Sequence, residues 1–141
     1  MSTLNPDDTY RLPPVGHVVE FQRTILEADV ALFAALSGDR NPLHLNENFV
    51  KDTRFGRRLV HGALLVGLIS AALTDLTGPG FVYLGQEVRY RNPVFVGDSV
   101  TVTARVTQTR DDKPIVSVDT EVVREDGAVA VTGTAGLMRF L

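Results

Sequence analysis

The chain has no cysteine among its 141 residues. A disulfide framework, thiolate chemistry and Cys-based zinc sites are therefore excluded. Histidine is scarce: His17, His44 and His61 leave little material for a His-based metal site, and no metal is expected. Excess positive charge is missing too. The formal net charge of −3 lacks the basic bias of a nucleic-acid binder, so no nucleic-acid partner is expected. Neither GxGxxG nor the Walker pattern occurs, which removes the glycine-rich phosphate loops. The start, Met1 to Arg11, carries Asp7 and Asp8 in place of the basic and apolar regions of a signal peptide. The most apolar stretch, Ala63 to Leu73, is shorter than the roughly 20 residues that cross a bilayer, so no membrane partner is expected. A soluble, cytoplasmic protein is the expectation these absences leave.

What is present describes an ordinary globular domain. Hydrophobic residues make up 44% and charged residues 22% of the chain, and this length buries one core without staples. Residues 1–14, with Pro6, Pro13 and Pro14, read as an extended arm, and residues 15–141 as a single domain. Residues 17–25 read as a first strand. From Glu27, the placing of Val30, Phe33, Ala34 and Leu36 suits one face of a helix that stops at Gly38. Pro42 makes residues 39–44 a loop, and Asn46 is a candidate cap for a short following helix. Residues 62–77, GALLVGLISAALTDLT, form the best helix candidate. Apolar residues surround nearly its whole circumference, which predicts burial on most sides. Gly78-Pro79-Gly80 ends it. Strand-like alternation follows over residues 81–92, 98–109, 115–124 and 128–140, with turns at 111–114 and 125–127. One buried helix followed by a series of antiparallel strands is an α+β architecture.

The richest chemistry lies in FAALSGDRNPLHLN, residues 33–46. Asp39 and His44 stand five positions apart around Pro42. In a loop that turns back, a carboxylate and an imidazole at this spacing hold and deprotonate one water. Asn41 between them is suited to orient the loop by bonding its backbone. The same letters also describe an ordinary turn after a helix. A second feature is LVHG, residues 59–62, at the start of the long helix. Free N–H groups and a positive dipole end gather there. Gly62 either lets a ligand oxygen approach its N–H, as in an oxyanion hole, or simply permits close packing. His61 reads better as structural than catalytic. Ser70, two turns into the helix, either touches a substrate or bonds the backbone one turn earlier. Lys51, Arg54, Arg57 and Arg58 either meet phosphates or form a solvated face.

These residues resemble a known signature. F-A-A-L-S-G-D-R-N-P-L-H-L-N at 33–46, R-L-V-H-G-A-L-L at 58–65, F-V-Y-L-G-Q at 81–86, R-N-P-V-F-V-G-D at 91–98 and V-T-G-T-A at 131–135 are similar, in order, to the MaoC-like (R)-specific enoyl-CoA hydratases. The resemblance covers about residues 17–139. One departure is Val50, six positions after the histidine, where the family often has a small residue. The resemblance implies a hotdog fold, a curved antiparallel sheet wrapped around one long central helix, in a homodimer. It implies reversible syn addition of water to a trans-2-enoyl-CoA, giving the (R)-3-hydroxyacyl-CoA, with an acyl-CoA thioester as substrate and no cofactor. Asp39 and His44 would be catalytic, with His44 as general base. The Gly62 N–H would meet the thioester oxygen, and Ser70 and Leu73 would face an acyl tunnel. The neighbouring reading is the reverse reaction, a (3R)-hydroxyacyl-ACP dehydratase. A thioesterase fits less well: many carry their acid on the long helix, where this chain has only Asp75, near the C-terminal end. Loss of Asp39 or His44 would have marked a non-catalytic protein, and both are present.

Overall fold

The computed structural model describes residues 12–110 and 112–141. The arm expected over residues 1–14 therefore falls mostly outside the described residues, as does Asp111 of the first expected turn. Among the described residues the chain forms five strands and four helices: β1 (Val18–Thr24), α1 (Glu27–Ser37), α2 (Pro42–Leu45), α3 (Glu47–Val50), α4 (Gly62–Thr77), β2 (Phe81–Tyr90), β3 (Ser99–Thr109), β4 (Ile115–Arg124) and β5 (Val129–Arg139).

The strands make one antiparallel sheet in the order β1-β3-β4-β5-β2. β3, β4 and β5 run as a meander. β2 does not join it in sequence: it pairs with β5 at the far edge, so the connection to β3 crosses the sheet. Alternation in the sequence marks a strand's faces but not its neighbour. Register shifts between Tyr83 and Gly85, Val106 and Gln108, and Val122 and Val123 increase local twist and bend the strands.

Alternation decides which face α4 meets. Val100, Val102, Ala104 and Val106 of β3 and Val116, Val118 and Val122 of β4 are buried, while their sequence neighbours face out. They pack with Leu65, Ile69, Ala72, Leu73 and Leu76 of α4 in one core. Each fully buried Val, Leu or Ile among them contributes about 1.5–3 kcal/mol. Thr120 is the polar exception on this face, and its hydroxyl accepts from Gln86 Nε2 at 3.3 Å.

Three local expectations need correction. α4 is not buried on most sides: Ala63, Gly67, Ala71, Thr74 and Asp75 are exposed. Its apolar sequence does not mark a helix enclosed within one chain. α1 buries Val30 and Ala34, but Leu36 is 89% exposed and Phe33 only half-buried. Residues 39–44 are not all loop, because Pro42 opens α2; its fixed φ and missing N–H suit the first position of a helix. The other boundaries agree with the sequence to within two residues, and Gly38 closes α1 in the left-handed region at φ 80°.

Gly133 records how tightly β2 and β5 approach. A Cβ built there would lie 2.3 Å from the Glu87 carbonyl oxygen, whereas one at Gly136 would meet nothing within 4 Å. Gly133→Ala is expected to lower stability by about 1–3 kcal/mol, the usual cost of overpacking, and Gly136→Ala by much less. Urea denaturation of the two variants checks this; equal midpoints would contradict it.

Candidate active site

The loop after α1 is built by its own side chains. The Ser37 hydroxyl donates to the Phe33 carbonyl and accepts from Asp39 N–H at 3.0 Å. Asp39 Oδ1 accepts from Asn41 N–H at 3.2 Å, and Asn41 Oδ1 from Leu43 N–H at 3.0 Å. Asn41 is thus the N-cap of α2 and orients the loop as expected. One turn later α2 presents His44, half-buried.

His44 is fixed from outside its helix. Its Nδ1 lies 2.7 Å from the Leu59 carbonyl oxygen. A carbonyl only accepts, so Nδ1 carries the proton and Nε2 keeps a bare lone pair. Leu59 N–H donates back to the Leu43 carbonyl at 3.0 Å. Residues 58–60 are in turn tied to the segment after β2: Val60 N–H donates to Val94 O at 2.7 Å and Val96 N–H to Arg58 O at 3.1 Å. Burial is the largest influence on the His44 pKa and lowers it from 6.5; its bond to Leu59 raises it, nearby His61 lowers it, and Asp39 raises it.

His61 joins this group, although its sequence gave no catalytic reason. It is 1% exposed, its Nε2 donates to the Asp39 backbone carbonyl at 3.0 Å, and its ring stacks on His44 at 3.9 Å between centroids. Donor atoms of Asp39, His44 and His61 lie within 4.8 Å of one another. One nitrogen of each ring is already engaged by a backbone carbonyl, His44 Nδ1 by Leu59 and His61 Nε2 by Asp39.

Gly62 begins α4, and its N–H has no protein acceptor among the described residues. A Cβ there would come within 2.6 Å of the Tyr90 ring. The close packing at Gly62 is therefore real, and its N–H is without a partner among the described residues. His44 and Gly62 border one cavity of about 480 Å³, with Arg54, Tyr90 and Arg91 around it. Asp39 stands exposed beside it and does not line it. Neither Ser70 nor Leu73 reaches this cavity: Ser70 is half-buried and Leu73 lies in the core at 1% exposure. The basic cluster divides. Arg58 pairs with Glu27 and Glu47, Arg57 lies over the Phe95 ring, Lys51 caps α3, and Arg54 lines the cavity. Phe55 and Tyr90 also line it, although no motif pointed to either. Tyr90 ends β2, paired with Val131 of β5.

A family model described as the MaoC like domain matches residues 12–128. An (R)-specific enoyl-CoA hydratase of Aeromonas caviae is 48% identical over 122 residues, spanning 86% of this chain and 91% of the relative. Another of that name, from Rhodospirillum rubrum, is 41% identical over 124 residues, spanning 87% and 85%. The solved structure described as the (R)-hydratase from A. caviae involved in PHA biosynthesis superposes with a TM-score of 0.87 at 46% identity, covering 89% of this chain and 96% of that one.

The free His44 ring is expected to titrate below 6.5, since burial opposes its charged form. Its imidazole resonances followed by NMR against pH check this, and a midpoint above 7 would contradict it.

Proposed function

The chain belongs to the MaoC-like domain family, and from that premise we propose that it is an (R)-specific enoyl-CoA hydratase, a hydro-lyase. The observation that carries the reading is the imidazole of His44, bare at Nε2, on the same cavity as the unpaired N–H of Gly62. A proton acceptor and an oxyanion donor at one cavity are what water addition to an α,β-unsaturated thioester requires.

Each step follows from the groups present. A water is held between the Asp39 carboxylate and His44 Nε2. His44 takes its proton while the oxygen attacks C3 of the trans-2-enoyl group. The displaced electron pair moves to the thioester oxygen, where the Gly62 N–H and the positive end of α4 stabilise the enolate. His44, now protonated, gives that proton to C2 on the face that the water occupied and returns to its neutral form. Asp39 orients the water. The lowered His44 pKa keeps the base unprotonated at neutral pH, so activity falls only as pH drops through that lowered value. The carrier of the acyl group is coenzyme A, as in the names of the relatives.

The working unit is a homodimer. Support comes from the outer edge of β2, which ends the sheet. Val82, Leu84 and Tyr90 stand 42%, 52% and 56% exposed along this strand, and the open small-residue face of α4 adds further apolar surface. Such an edge calls for a partner strand or a cover.

Purified protein is expected to remove the conjugated absorbance of crotonyl-CoA. Asp39→Asn and His44→Ala are each expected to lower the rate at least about a hundredfold, with the dimer, at twice the 15.4 kDa chain mass, unchanged by light scattering. No reaction with C4 to C8 enoyl-CoAs, while an acyl-carrier-protein substrate reacts, would replace the hydratase by the dehydratase reading. Near-normal turnover in either folded variant would remove that residue from the mechanism.

A further inference from the structure

Resting on the hydratase reading, we propose that His61 is a positioning residue that fixes both members of the water-holding pair at once: Asp39 through its backbone carbonyl, and His44 through its ring face.

Three contacts converge on this one side chain. Its Nε2–H reaches the Asp39 carbonyl at 3.0 Å, across 22 residues of sequence. One ring face lies against His44 at 3.9 Å, and Phe33 of α1 stands 4.7 Å away, tilted by 55°. Its own backbone caps α4: the His61 carbonyl accepts from Leu64 N–H at 3.1 Å and Leu65 N–H at 3.4 Å. That cap sets where α4 begins, and hence where the adjacent Gly62 N–H points. The base, the backbone of the acid and the oxyanion donor are all referred to one residue.

Packing alone does not account for a histidine here. At 1% exposure its Nδ1 is buried without a hydrogen-bond partner, and an unsatisfied buried polar atom destabilises the fold. A phenylalanine or leucine would fill the volume without that cost. What only the imidazole supplies is an N–H donor at the reach of Nε2 together with a flat face for His44. A ring carrying Asp39 on one atom and His44 on its face removes relative motion between the two groups. Effective molarity in a positioned pair depends on that restriction. His61 itself takes no proton from the water.

The test separates the two contacts. His61→Gln keeps an N–H donor at similar reach but has no ring. His61→Phe keeps the ring without the donor, and His61→Leu keeps neither. With crotonyl-CoA, His61→Leu is expected to lower kcat tenfold or more with KM within twofold. Gln and Phe should each recover part of the loss. In a His44→Ala background, His61→Gln should cause no further loss, because there is no base left to position. If His61→Leu does not fold, the Gln and Phe variants and the His44→Ala background make the same comparison. Unchanged kcat in the folded variants, equal losses in all of them, a loss confined to KM, or the same His61→Gln loss in both backgrounds would each overturn the proposal. The wild-type protein in the same assay keeps the two ideas apart. Its inactivity would bring down the hydratase reading and this inference with it, whereas active wild type with an ungraded series removes the positioning role alone.

Discussion

The site depends on one hydrogen bond, from His44 Nδ1–H to the carbonyl of Leu59 at 2.7 Å. It joins two stretches that share no secondary structure: a four-residue helix, α2, and the segment leading into α4. A short helix has little stability of its own, so α2 is held by its neighbours. Leu59 does this twice, accepting from the His44 side chain and donating to the Leu43 backbone. The same bond selects the tautomer. With the proton on Nδ1, the lone pair on Nε2 is left for chemistry, and a second-partner hydrogen bond of this kind is how proteins usually fix which nitrogen acts.

The rest of the fold keeps Leu59 still. Residues 58–60 are bonded to residues 94–96, which lead from β2 toward β3. Arg58 pairs with Glu27 at the start of α1 and Glu47 at the start of α3. These ion pairs are exposed on the carboxylate side, and exposed pairs of this kind contribute little to stability. Their geometry still fixes α1 and α3 relative to the segment that carries Leu59. The core between α4 and β3–β4 supplies the stability, and the polar ties around it supply the placement. His61 sits where both meet, in the buried layer but bonded to the loop.

Much of this was legible in the sequence because it is local. The span of α4, the left-handed stop at Gly38, the cap at Asn41 and the alternation of β3 and β4 all follow from residues a few positions apart. The closeness of Asp39 and His44 follows from a local turn in the same way, whereas the catalytic role expected of them rests on the resemblance. What was hidden depends on contacts far apart in the chain. β2 gives no sign that it pairs with β5 instead of β3. Nothing near Tyr90 shows that its ring meets Gly62, and nothing near His61 shows that it bonds Asp39. Hydropathy misled in one direction: the small residues Ala63, Gly67 and Ala71 looked like core and stand exposed on α4. The acyl-tunnel role of Ser70 and Leu73 came only from resemblance, and neither residue lines the cavity that His44 and Gly62 share.

In the proposed mechanism, a single base on one side of the substrate carries a stereochemical consequence. The oxygen and the C2 proton must arrive on the same face of the double bond, because one held water defines that face. Hydrating trans-2-crotonyl-CoA in D2O and determining the configuration at C2 and C3 of the product reads this directly. The account predicts (R)-3-hydroxybutyryl-CoA with one deuterium at C2, added syn to the new oxygen. Anti addition, a mixture of C2 epimers formed during turnover, or the (S) product would contradict it.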